Sequence, residues 1–235
     1  MLRYLILGCC FVLGWSACRT TTERRSDYQV HGVDVSHYQG RVDWNAVAQQ
    51  DIHFAFLKAT EGLTYRDSLF SRNWTALDTL GIRRGAYHYF HADRSAQHQA
   101  FNFIQTVRLF PGDLPPVVDV EVTKDASPTQ LRRHLQTWLT MVETHYRRRP
   151  IIYTYQKFYN SYLSGYFDDY PIWIARYNAS ETPDLNDRRA WHFWQYGERG
   201  QVAGIRGPVD LNVFHGSAAD FEFFVENASP ALTMD

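Results

Sequence analysis

Leu114-Pro-Pro-Val-Val-Asp-Val-Glu-Val122 is a valine-rich apolar run with two carboxylates set into it. The run has the character of a buried strand, and the two prolines fix where that strand begins. Side chains two apart on a strand point to one side, so Asp119 and Glu121 stand together, about 6.6 Å apart by strand rise. Two neighbouring anions in a half-buried site cannot both ionise freely. One of them keeps its proton near neutrality, which is the condition for a general acid. A pair of salt-bridged carboxylates at a strand end is the competing reading, because ion-pair networks also perturb acids. The residues gathered around the pair decide between the two.

On either side of this run, short apolar strands alternate with helical patterns, which predicts a largely parallel α/β arrangement. Strands are expected over residues 31–36, 53–60 and 85–90, with helices over 44–50, 68–80 and 95–107. After the acidic strand, Ser127-Pro128 offers a cap and a first-turn proline for a helix running to Tyr146. Four further strands follow, over 151–155, 172–177, 192–196 and 209–214, with mostly loop between them. Eight strands with fewer than eight good helices predict an irregular, TIM-like (β/α) barrel whose helices are reduced in the second half. An open doubly wound sheet is the alternative, but no glycine-rich phosphate loop follows the first strand.

In a barrel the site lies at the carboxyl ends of the strands. Polar residues marked at those ends are Asp34, Glu61, Tyr89, Asp119 with Glu121, Tyr153 with Tyr155, Arg176 with Tyr177, Gln195 and Asp210. Acids interleaved with aromatics suit an uncharged polyol, since carboxylates accept from hydroxyls and aromatic faces pack on sugar rings. Ten histidines raise the question of a metal. No His-Glu-x-x-His or comparable spacing appears, so neither metal nor cofactor is expected. Ser36 and His37 are adjacent on a strand and face opposite ways, which excludes a nucleophile–base pair between them.

The chain has 235 residues, 45% hydrophobic and 16% aromatic, enough for one substantial core. A formal net charge of −1 gives no nucleic-acid footprint and no polybasic membrane patch. Arg147-Arg148-Arg149 ends a helical pattern, where cations suit the helix dipole. Residues 1–18 read as an export signal: Arg3, a twelve-residue apolar run from Tyr4 to Trp15 that is too short to span a bilayer, then Trp15-Ser16-Ala17-Cys18. Small residues before Cys18 resemble the bacterial lipobox, so Cys18 is expected to be acylated in an envelope lipoprotein, with simple cleavage and secretion as the alternative. All three cysteines lie in this segment, so the exported domain is expected to lack an internal disulfide. Residues 19–29 read as a polar tether, 30–217 as the barrel and 218–235 as a C-terminal tail.

Six blocks in order carry a resemblance: Gly32-Val-Asp-Val-Ser-His-Tyr-Gln-Gly40, Lys58-Ala-Thr-Glu-Gly62, Gly85-Ala-Tyr-His-Tyr-Phe90, Val118-Asp-Val-Glu121, Trp173-Ile-Ala-Arg-Tyr177, and Trp194-Gln-Tyr196 leading to Gly204-Ile-Arg-Gly-Pro-Val-Asp-Leu-Asn212. Together they resemble glycoside hydrolase family 25, the muramidase-type lysozymes, from about residue 31 to 216. The resemblance implies an irregular (β/α) barrel that hydrolyses the β-1,4 bond between N-acetylmuramic acid and N-acetylglucosamine in a peptidoglycan glycan strand. It implies Glu121 as proton donor, Asp119 as its partner, and Asp34 and Asp210 as further acids of the site. Asp119 would either orient the substrate's N-acetyl group for attack on the anomeric carbon, the preferred reading, or assist a water. Glu61, Tyr89, Tyr153, Arg176, Tyr177 and Gln195 are the expected substrate contacts. Gly197 stands where Ser or Thr is common in the family, and His37-Tyr38 where many members carry a tryptophan. A barrel that binds wall glycan without turnover, and a glycosidase of another N-acetylated polymer such as chitin, are the other readings. The protein is expected to act as a monomer and to meet membrane only through the N-terminal lipid.

Overall fold

The computed structural model describes residues 22–177 and 181–227. The expected signal and Cys18 lie outside them. Nine strands are present: β1 (His31–Val35), β2 (Phe54–Glu61), β3 (Tyr65–Arg66), β4 (Arg83–Tyr89), β5 (Val117–Asp119), β6 (Ile151–Tyr155), β7 (Ile172–Ala175), β8 (Phe193–Gly200) and β9 (Val209–Phe214). Their order, β1-β9-β8-β7-β6-β5-β4-β2-β3 with β1 also paired to β2, closes eight strands into a barrel and leaves β3 as a hairpin on β2. The helices are α1 (Trp44–Val47), α2 (Phe70–Ala76), α3 (Ala96–Thr106), α4 (Pro128–Tyr146), α5 (Gln156–Phe158) and α6 (Ala218–Asn227). The helices α2, α3 and α4 thus fall between β2 and β6, and the later connections between strands are mostly loop. Among the described residues no helix is long and apolar enough to cross a membrane.

One strand departs from the expected parallel order. β9 runs antiparallel to both β8 and β1. Eight residues, 201–208, separate β8 from β9, too few for a helical crossover, so the chain folds straight back on itself.

Period-two alternation divides each strand between two cores. Val33, Val35, Ala55, Leu57, Val118, Ile152 and Ile174 join the outer cluster, against the helices. Phe54, Phe56, Val117, Ile151, Trp173, Phe193 and Phe214 fill the barrel. Such a load of aromatic rings needs room, and glycine provides it: a Cβ on Gly32 would stand 2.3 Å from the Phe54 ring and one on Gly85 2.5 Å from Phe56. α4 starts at Ser127-Pro128 as expected, with Ser127 Oγ accepting from Gln130 N at 3.2 Å. It buries Leu131, Leu135, Trp138, Leu139 and Val142, a stripe of helical period, on the outer core.

The segments set apart at the two ends both belong to the barrel over their described parts. α6 plugs its base with buried Phe221 and Val225, apolar residues at i and i+4. At the other end, Thr22 N donates to Arg199 O at 3.0 Å, the Arg25 guanidinium lies 4.1 Å over the Trp194 ring, and Tyr28 packs edge-on to Trp194 at 6.1 Å. This segment covers the outer face of β8 at Trp194. Gly197 makes the contact possible, because a Cβ there would stand 2.2 Å from Thr22 Cγ2. Gly197→Ser is therefore expected to lift residues 22–28 and to speed tryptic cleavage after Arg24 and Arg25 roughly threefold or more. Cleavage at the unmodified rate would show that the segment does not depend on this glycine.

Candidate active site

The same alternation that fills the barrel with rings brings polar side chains to its open end. Continuing each inward register by two residues leads from Gly32 to Asp34, from Phe56 to Lys58, from Val117 to Asp119 and Glu121, from Ile151 to Tyr153, and from Phe193 to Gln195. They line one cleft of about 290 Å³ together with Val35, Ser36, Tyr38, Gln39, Tyr87, Tyr89, Trp173, Tyr177, Glu198 and Asp210. Asp210 reaches this mouth from the amino end of its strand, because β9 is antiparallel and sets Asp210 directly opposite Asp34.

Asp34 is pinned. Gln195 Nε2 and Asn212 Nδ2 each donate to its Oδ2 at 2.8 Å. Gln195 Oε1 in turn accepts from Tyr153 OH at 2.7 Å and Tyr177 OH at 2.6 Å, and Asn212 Oδ1 accepts from Trp173 Nε1 at 2.8 Å. This orientation of both amides leaves their NH2 groups for the carboxylate.

The four acids fall into two pairs. Burial pushes the Asp34 carboxyl up to about 6, against the opposing bonds from Asn212, Gln195 and Asp210. Burial, then the charge of Asp34, pushes Asp210 up to about 9. These two share one proton near neutrality, as like charges directly opposed on neighbouring strands must. In the second pair, burial raises Asp119 well above the usual carboxylate range, and the charge of Glu121 and its hydrogen bond raise it further. Burial raises Glu121 as well, while the bond with Asp119 and the charge of Lys58 hold it back. Both carboxyls are thus raised together, so the two side by side hold a proton more readily than either would alone. Asp119 Oδ1 is buried and has no hydrogen-bond partner among the described residues.

Two expected substrate contacts are not in the cleft wall. Glu61 Oε2 accepts from Lys58 Nζ at 2.7 Å, and its Oε1 lies 3.0 Å from His91 Nε2. The guanidinium of Arg176 donates to Thr182 O at 2.6 Å and lines a neighbouring groove. Tyr89, Tyr153, Tyr177 and Gln195 are in the wall. Residues the sequence reading passed over are Lys58, Trp173, Asn212, Tyr87 and Glu198. The first four stand inside the quoted blocks, and strand parity alone would have found Lys58. Ser36 Oγ accepts from Tyr38 N at 3.3 Å, and His37 Nδ1 lies 2.7 Å from Asp67 Oδ2, so each has another partner. Among the described residues no group of three or more His, Cys, Asp or Glu side chains is set to hold a metal ion.

The model of the family described as Glycosyl hydrolases family 25 matches residues 33–205. A curated relative in Escherichia coli K12, Uncharacterized protein YegX, is 47% identical over 206 residues, covering 86% of this chain and 75% of its own length. Lysozyme M1 of Streptomyces globisporus is 36% identical over 207 residues, covering 81% and 69%. Among solved structures, a family 25 glycosyl hydrolase from Bacillus anthracis superposes with a TM-score of 0.82 at 36% identity, covering 88% of this chain and 98% of that one.

Proposed function

The chain belongs to glycosyl hydrolases family 25 and is a glycoside hydrolase of the muramidase type, and from there we infer that it cleaves the β-1,4 bond between N-acetylmuramic acid and N-acetylglucosamine with Glu121 as the proton donor. The observation that carries this reading is the Asp119–Glu121 pair, two carboxyls raised by burial and holding one proton between them at the floor of a tyrosine-walled cleft. Glycoside cleavage needs a proton on the leaving oxygen and support for an oxocarbenium-like centre.

Asp119 lines the cleft and keeps one carboxyl oxygen without a partner among the described residues, and its carboxylate suits the N–H of an N-acetyl group. That bond stabilises Asp119 as a carboxylate, and the sugar covering Glu121 removes what water it still meets. Both changes favour the pair's proton on Glu121 when substrate is seated. Glu121 then protonates the bridging oxygen. The acetamido carbonyl, oriented through Asp119, attacks the anomeric carbon, and water opens the resulting intermediate. Asp34, fixed by its two amides, places negative charge near the developing cation.

The site is complete within one chain, which supports action as a monomer. The apolar run before Cys18, read as a leader, supports export, with Cys18 acylated and the barrel held at the bacterial envelope, or released if that run is simply cleaved. Purified peptidoglycan and chitin offered side by side test the substrate class. Peptidoglycan suspensions should clear while chitin stays intact. Equal digestion of both would point to a general N-acetylglycosidase, and binding without clearing to a barrel that has lost turnover.

A further inference from the structure

Arg176 was expected at the mouth, yet its side chain lies one step outside the cleft, and the place it occupies has the makings of a second site. An open groove of about 500 Å³ runs between the ends of β6 and β7 and the loop after them, lined among others by Tyr155, Lys157, Ser161 and Arg176. Tyr155 adjoins the catalytic cleft: it is 38% exposed, lines the groove, and stands two residues beyond Tyr153 of the cleft wall on β6. A substituent on a sugar held over Asp119 and Glu121 would leave the cleft past this ring.

The groove has a fixed frame. Gln156 Oε1 accepts from Asp184 N at 3.3 Å and Asn160 Oδ1 from Asn186 N at 3.0 Å, so these amides are spent on shaping the loop. The two cations are less committed. Lys157 is exposed and makes no ion pair or hydrogen bond among the described residues. Arg176 is steadied by Thr182 O, and its only ion pair among the described residues is with Glu181, at 3.6 Å, whose side chain is 82% exposed. A pair that long and that wet contributes little, and an arriving carboxylate can replace Glu181 at small cost.

We propose that this groove is a subsite for the acidic peptide carried by the glycan strand, with Lys157 and Arg176 binding its carboxylates and Tyr155 separating it from the sugar cleft. The inference rests on the muramidase reading, because N-acetylmuramic acid bears its peptide on the ring that would lie against Asp119 and Glu121. On the opposite rim His37 is paired with Asp67 and Lys58 with Glu61.

The test compares kcat/KM on peptidoglycan strands bearing their peptides with the same strands after an amidase has removed them, using the full chain. The unmodified enzyme should favour the peptide-bearing strand roughly fivefold or more, through KM, and the preference should shrink in high salt. Lys157→Gln should bring the ratio towards one, and Lys157→Glu below it. Equal cleavage of both strands by the unmodified enzyme, or a ratio unaltered by Lys157→Glu, would overturn the subsite while leaving the muramidase reading intact. Failure to cut either strand would remove both.

Discussion

Glu121→Gln should lower muropeptide release roughly 10²-fold or more without unfolding the protein. The amide keeps the shape of the carboxyl and can still hydrogen-bond to Asp119, but it has no labile proton to give to the leaving oxygen. The barrel does not depend on that proton: its core is the ring cluster around Phe54, Phe56, Trp173 and Phe193, one layer below. Release at near the unmodified rate, with an unchanged melting temperature, would remove Glu121 from the donor role.

Asp210→Asn should have the opposite effect on the fold. Its carboxyl is raised to about 9, burial first, so the folded protein holds a proton that the unfolded chain releases above pH about 4. Below that pH both states are protonated and nothing is lost. As pH rises from 4 towards 9 the unfolded state gains progressively, and the cost of keeping the proton grows to the order of a few kcal/mol. Removing the acid removes the cost, so the variant should melt with the unmodified protein near pH 4 and increasingly above it as the pH approaches 9. Wall clearing should fall in the same variant, because Asp34 then loses the partner that shares its proton. A constant difference in melting temperature across this range would mean that the Asp34–Asp210 pair does not titrate as described. Stability given up at the mouth of a barrel for charge placement is the exchange expected of an active site.

Strand periodicity explains how much of this was legible. Asp119 and Glu121 share a side by spacing alone, and Asp34, Tyr89, Tyr153 and Gln195 follow from placing strand ends at one mouth. Asp210 lines the cleft, but not by the geometry expected of it. Its strand was read as parallel, and it reaches the mouth only because β9 turns back. Arg176 and Tyr177 were marked together, but neighbours on an extended strand face opposite ways, and the cleft takes Tyr177. At β2 a register shift between Lys58 and Thr60 turns Thr60 out to His88 Nδ1 at 2.7 Å, and Glu61 closes onto Lys58 and His91. No alternation pattern announces such a bulge. Residues 22–28 read as tether because their composition is polar. What holds them is contact between Arg25 or Tyr28 and a strand some 170 positions away, and local sequence does not encode it.

The bond that is cut can be read from its products. Purified peptidoglycan digested with the protein, reduced with borohydride and analysed by mass spectrometry should yield fragments whose reduced ends are N-acetylmuramic acid. Fragments ending in reduced N-acetylglucosamine, or no fragments from a well-folded preparation, would contradict the role given to Asp119 and Glu121.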